Sequence, residues 1–266
     1  MNDPAKYRRR FRALTAAVSL LPILSGCSKN GGREVQGNVV FLQGTVTLES
    51  GKEGARYPQS ATTASKLSVG DQLETSPGAA AAVSLIPGIF IHMRGGTEIV
   101  IKQMRVEKQG DAMVNAIKSR LASLRINHGV IRVSLPNVGS GECELRLETD
   151  LGTVVAQRGA LLSVRLTNET LRVLCVDGEV QWSSARGGRV DEISQGYFQD
   201  YSRDDVSNGD FKRELTPVTE DAAAQNDVAT ALEAAAAFDE FVLRLRSAPP
   251  LKSSIPIERR GTFRPP

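Results

Sequence analysis

The side chains that could do chemistry are few. The 266 residues hold two histidines, His92 and His128, and three cysteines, Cys27, Cys143 and Cys175. Neither histidine has a metal-ligating neighbour at a useful spacing, and no nucleophile elbow, phosphate loop or dinucleotide fingerprint occurs. Asp150, Asp177 and Asp191 sit where turn aspartates sit, so they mark chain reversals rather than an acid–base pair. This inventory names no cofactor, no metal and no catalytic residue, and it points to a protein that is not an enzyme.

The cysteines carry more information. Lys6, Arg8, Arg9, Arg10 and Arg12 precede an apolar run from Ala13 to Leu24 that is too short for a bilayer, which needs about 20 residues. Such a pair is the n-region and h-region of a secretory signal. Leu24-Ser25-Gly26-Cys27 then resembles the lipobox of bacterial lipoproteins. The resemblance implies cleavage before Cys27, a diacylglyceryl group on its sulfur and a further acyl chain such as palmitate on its new amine. Each buried CH₂ contributes roughly 0.8 kcal/mol, so two or three chains anchor the protein firmly. Ser28 follows, where lipoproteins kept at the inner membrane often carry Asp, so the periplasmic leaflet of the outer membrane is favoured over the inner membrane. Cys143 and Cys175 would then lie in an oxidising compartment. They either bridge, closing a loop of about 33 residues worth roughly 3–4 kcal/mol, or remain two buried thiols.

Charge supports the same partition. The first 26 residues hold five of the 33 bases and one of the 30 acids, which leaves 28 bases against 29 acids. The basic pI thus belongs to the signal, and nucleic acid is set aside as a partner. The expected partners are the membrane, through the lipid, and an envelope protein or glycan.

The elements that must position these residues are mostly strands. Val39-Val40-Phe41, Thr45-Val46-Thr47-Leu48, Ile99-Val100-Ile101, Val130-Ile131-Arg132-Val133 and Leu145-Arg146-Leu147 are short, β-branched runs between turn residues. A unit of glycine, β-branched residue and large apolar residue at alternate positions recurs at Gly37, Gly44, Gly129 and Gly178. It predicts strands leaving glycine turns, stacked as hairpins or as a solenoid. Met113, Ile117, Leu121 and Leu124 fall at helical spacing, which predicts a short helix inserted over Asp111 to Leu124. Val228, Leu232, Ala235, Phe238, Val242 and Leu245 form a second helical stripe after a cap at Thr216 or Thr219, stopped by Pro249-Pro250. That helix either folds back on the β-body or docks a partner.

Leu67-Ser68-Val69-Gly70-Asp71-Gln72-Leu73-Glu74-Thr75, the small-residue strand Ala79 to Leu85, the hairpin at Pro87-Gly88, Leu147-Glu148-Thr149 and Arg158-Gly159-Ala160 together resemble the FecR-type domain, in order, over roughly residues 37–200. Ala160-Leu161-Leu162 departs from the Thr and Phe usual there. The resemblance implies an all-β, periplasmic, solenoid-like body. Founding members of the family are inner-membrane regulators with a cytoplasmic anti-sigma segment and a receptor-contacting domain. With about 12 residues before the apolar run and no βαβ pattern after Val206, that role is not carried over. The expected plan is a signal peptide over 1–26, a lipidated tether over 27–36, a FecR-like β domain over 37–206, a helix over 216–247 and a disordered tail over 248–266. The expected function is a non-enzymatic binding or scaffolding module facing the periplasm. The alternatives are a component of a FecR-type signalling system and, further off, an envelope enzyme.

Overall fold

Alternation along the chain builds the strands. In Ile89–Met93, the side chains of Ile89, Ile91 and Met93 are wholly buried, and Phe90 and His92 point to the opposite face. The computed structural model describes residues 32–51, 57–108, 117–137, 141–187, 189–209 and 214–247, all within one compact unit. Cys27, the signal, most of the tether and the tail over 248–266 lie outside the described residues.

The ladders arrange the strands as two sheets that share one strand. In chain order the strands are β1 (Arg33–Glu34), β2 (Gly37–Gln43), β3 (Val46–Glu49), β4 (Gln59–Ser60), β5 (Lys66–Leu67), β6 (Gln72–Thr75), β7 (Ala80–Ile86), β8 (Ile89–Met93) and β9 (Thr97–Lys108). They continue as β10 (Ile117–Ser134), β11 (Glu142–Glu148), β12 (Gly152–Gln157), β13 (Leu161–Leu166), β14 (Thr170–Asp177), β15 (Glu179–Ser184), β16 (Val190–Ser194), β17 (Tyr197–Ser202) and β18 (Thr216–Pro217). The first sheet runs β4-β3-β6-β9-β10-β11-β12-β15-β16, with β1 on the far end of β9. The second runs β5-β2-β7-β8-β10-β13-β14-β17-β18. Every pairing is antiparallel except β10 with β11. Residues of both sheets close on one apolar core, where the Trp182 ring stacks on Tyr201 at 3.7 Å.

Most crossings between the sheets turn on a glycine with positive φ: Gly44, Gly70, Gly78, Gly96, Gly129, Gly159, Gly178 and Gly196. Gly129 shows why. It has φ 104°, and a Cβ there would sit 2.4 Å from the Cα of Thr97. The glycine lets β10 pass from one sheet to the other without a break. The expected body of stacked hairpins is therefore present, and Gly44, Gly129 and Gly178 play the part that the recurring unit assigned them. Gly37 does not. Its backbone is not left-handed, and what it needs is space, since a Cβ would meet the Ser84 carbonyl at 2.8 Å.

Two expectations about helices are corrected. Residues 117–124 are the first part of β10 and not an inserted helix; residues 111–116 lie outside the described residues. The strand is paired on both sides, by β9 and β11, and an extra residue, Lys118, bulges between Ile117 and Ser119. Arg120, Ala122, Leu124 and Ile126 are buried at alternate positions, as in a strand, and the bulge lets Ile117 be buried with them. The short helix is elsewhere: α1 (Arg203–Asn208), capped by Ser202 and ended by Gly209 in the left-handed region.

The C-terminal helix, α2 (Ala222–Ser247), begins six residues after the expected start at 216, and neither Thr216 nor Thr219 caps it. Thr216–Pro217 pair with β17 instead, and Val218–Glu220 form a 3₁₀ turn. Asp221 caps α2, accepting from the Ala224 backbone N–H at 2.8 Å, and that bond holds its carboxyl below the usual range, helped by Arg172. The helix folds back on the outer face of the second sheet. Phe238 stacks on Phe90 at 4.6 Å beside Ala82, and Ala224 packs on Leu174 and Phe198. Its buried line is Ala224, Asp227, Ala231 and Phe238, whereas Leu232 of the expected stripe is 52% exposed.

Candidate functional site

Between α2 and the second sheet lies an open groove of about 960 Å³. Cross-strand register builds its floor. Ala82, His92 and Arg132 stand opposite one another on β7, β8 and β10 and line it, and the row continues beyond the groove through Ser163 of β13 to Leu174 of β14. Val130 and Arg165 form the adjoining pair, and Arg94 follows His92 out of β8, its backbone N–H bonded to the Val130 carbonyl. On each strand these are the positions that alternate with core residues, so they share the outer face.

This face carries charge where a helix–sheet interface usually carries alkyl groups. Arg132 and Asp227 are each 2% exposed. One Asp227 oxygen is 2.7 Å from the Arg165 guanidinium and the other is 3.5 Å from that of Arg132. One carboxylate thus serves two arginines. Burial lowers the Arg132 pKa, and the nearby charges of Arg94 and Arg165 push it the same way while Asp227 opposes them. His92 is lowered to about 4 by burial first and then by Arg132 and Arg94, so it is neutral at ordinary pH. Four polar atoms under or beside the helix, His92 Nδ1, Arg132 Nε, Ser163 Oγ and Arg165 Nε, are buried without a hydrogen-bond partner. Such atoms are rare in folded proteins and costly.

The other wall is apolar and made of small residues. Ala234, Ala237 and Phe238 of α2 line the groove together with Val40, Phe41 and Ala82 of the sheet. Phe41 is 46% exposed. Glu233 and Thr230 of α2 also line the opening. The groove thus combines three arginines and a histidine with apolar side chains.

The residues singled out in the sequence fall differently. His92 belongs to the groove. His128 pairs across from Glu98 in the first sheet, its Nδ1 3.7 Å from the carboxylate, and is not part of the site. Cys143 and Cys175 are both free, buried thiols, so the bridge left open by the sequence is not made here. Their strands belong to different sheets. Cys143 lies in β11 with its sulfur 3.8 Å from the Gly88 carbonyl, and Cys175 in β14 with its sulfur 3.3 Å from that of Gly178. Burial raises both thiol pKa values, Cys175 to about 12 with the help of Asp177 and Glu179. Among the described residues no cluster of His, Cys, Asp and Glu could hold a metal, and no helix is long and apolar enough to cross a membrane. Arg132, Arg165 and Asp227 were missed as site residues. Their signal was faint: a charged residue at an outward position of three apolar segments.

No protein-family model matches the chain, and no curated protein matches it. Two crystal structures, each titled as a "putative anti-sigma factor" from Parabacteroides distasonis ATCC 8503, are similar to it at 15% and 16% identity. Each match covers 55% of this chain and 57% of the other, with a TM-score of 0.36. A likeness that loose, over little more than half of either protein, carries no argument about what this chain does.

Proposed function

We propose that this protein is a non-enzymatic binding module of the bacterial envelope. A lipid on Cys27 holds it at the membrane facing the periplasm, its body is FecR-like, and the groove under α2 is its ligand site. The groove carries the reading: about 960 Å³ of open space, apolar on one wall and lined on the other by Arg94, Arg132, Arg165 and His92. Binding sites have this make-up, a mainly apolar cleft with a few convergent polar groups. The lipobox and the signal before it support the placement.

The test uses the full chain purified from envelopes in detergent. Native mass spectrometry should find a compound that copurifies with the wild-type chain and is lost when Ala237→Trp fills the groove. Cys27→Ser should leave the protein out of the detergent phase. A compound retained by the filled variant would place binding elsewhere. Turnover of a cell-wall or lipid substrate by the purified chain would overturn the non-enzymatic reading.

A further inference from the structure

We infer that the groove selects an amphiphilic anion: a compact carboxylate or phosphate head seated at the arginines, joined to an apolar body that lies along the alanine face of α2. The inference rests on the groove being the ligand site and adds the class of ligand.

Charge is the first argument. Arg94, Arg132 and Arg165 converge on the groove against two carboxylates, Asp227 and Glu233. Asp227 is consumed by two of the arginines, and Arg94 is exposed at the rim with no ion pair among the described residues. The arginines also repel one another, as the lowering of Arg132 by Arg94 and Arg165 records. An added anion relieves that repulsion, and guanidinium groups match carboxylate and phosphate oxygens in pairs. Hydrogen bonding is the second argument. His92 Nδ1 has no partner inside the protein, and a small rotation of a neutral imidazole presents a donor to an oxyanion. Shape is the third. Phe41 stays 46% exposed, and it lines the same groove as Val40, Ala82, Ala234 and Ala237, so apolar surface and the arginines share one open space. A plain inorganic anion would leave that apolar surface wet. A neutral amphiphile would leave the arginines crowded.

Titration calorimetry on the full chain distinguishes these cases with four probes: inorganic phosphate, octanoate, dihexanoyl phosphatidic acid and 1-octanol. At least one amphiphilic anion should bind about tenfold or more tightly than both phosphate and octanol. A preference for octanoate assigns a carboxylate source, and a preference for the phosphatidic acid assigns a phosphate source. Arg94→Gln removes an exposed charge and relieves some of that repulsion, so it should weaken the anion about tenfold without lowering the melting temperature. Occupancy should also raise the His92 titration point, read by NMR, because a nearby anion favours the imidazolium. Octanol binding as well as octanoate, or an Arg94→Gln variant with unchanged affinity, would overturn the inference. So would silence from every probe up to about 5 mM. If the probes are silent while Ala237→Trp still loses a copurifying compound, the ligand class is wrong and the binding-module reading stands.

Discussion

The outer faces of the two sheets use the same amino acids for opposite ends. On the first sheet, Lys118 reaches Glu107 at 3.0 Å, Arg146 reaches Glu144 at 2.6 Å and Asn127 reaches Glu98. These side chains are open to water, so each pair exchanges one set of hydrogen bonds for another and little is gained. On the second sheet, α2 removes the water. Arg132 and Asp227 must satisfy one another or remain charged and unsolvated. β10 supplies both faces, Lys118 to the first and Arg132 to the second. What separates a replaceable surface pair from a specifying one is the helix laid over it, not the strand that carries it.

The largest effect that would test this contrast comes from Asp227→Ala. It strands buried Arg132 under the helix, while Arg165, 39% exposed, turns to water, and it should cost about 3 kcal/mol in urea denaturation. The paired change Arg132→Met with Asp227→Leu should recover much of that loss, because apolar groups of similar volume need no counter-charge. If Asp227→Ala costs no more than a surface substitution, the covered face is wet and the contrast collapses. Phe238→Ala should come next, at about 2–3 kcal/mol. It removes the stack on Phe90, but the ring borders the groove and so counts for less than a wholly enclosed phenylalanine. Thermal unfolding would measure it, and amide exchange along α2 should accelerate more than exchange in the strands.

A pH profile gives the third test. His92 titrates near 4 in the folded chain against 6.5 when exposed. The unfolded chain therefore binds more protons between those values. Stability from this group is complete above pH 6.5 and is lost as pH falls toward 4, by on the order of 3 kcal/mol. His92→Gln should flatten that stretch of the curve, and an unaltered slope would show that the imidazole is solvated. The smallest effect belongs to the first sheet. Lys118→Ala should change stability by less than about 0.5 kcal/mol, and salt should erase even that.

Much of the architecture was readable in the sequence because its causes are local. Alternation in Ile89–Met93 or Val130–Val133 reports a strand with one face in the core, and Gly129 or Gly178 reports a corner that a side chain cannot turn. The stretch from Asp111 to Leu124 misled for a physical reason. A strand bulged at Lys118 buries Ile117 along with Leu124, and half-buried Leu121 between them then completes a helical spacing. In α2 the stripe was right at Val228, Phe238 and Val242, which pack on the sheet, and wrong where it excluded Asp227 as polar and included Leu232 as apolar. The structure inverts both, burying the acid and exposing the leucine. The groove could not be seen at all. Its residues come from positions 92, 94, 132, 165 and 227, and only the ladders of β8, β10 and β13 bring the first four together. The disulfide question failed likewise on register: strand membership placed Cys143 and Cys175 in strands, but not in the same sheet.

The passage of β10 through both sheets has a consequence for how the molecule comes apart. Every strand before it in the chain lies on one side of it, and every strand after it lies on the other, in both sheets. The protein is therefore two halves knitted from neighbours in sequence and sewn together along a single seam. Each half can assemble from short-range pairings, but the seam needs β8, β9, β11 and β13 in place at once. Cooperativity in unfolding is concentrated there. The amides of residues 131–134, in the stretch paired on one side with β8 and on the other with β13, should exchange with solvent only when the whole structure opens.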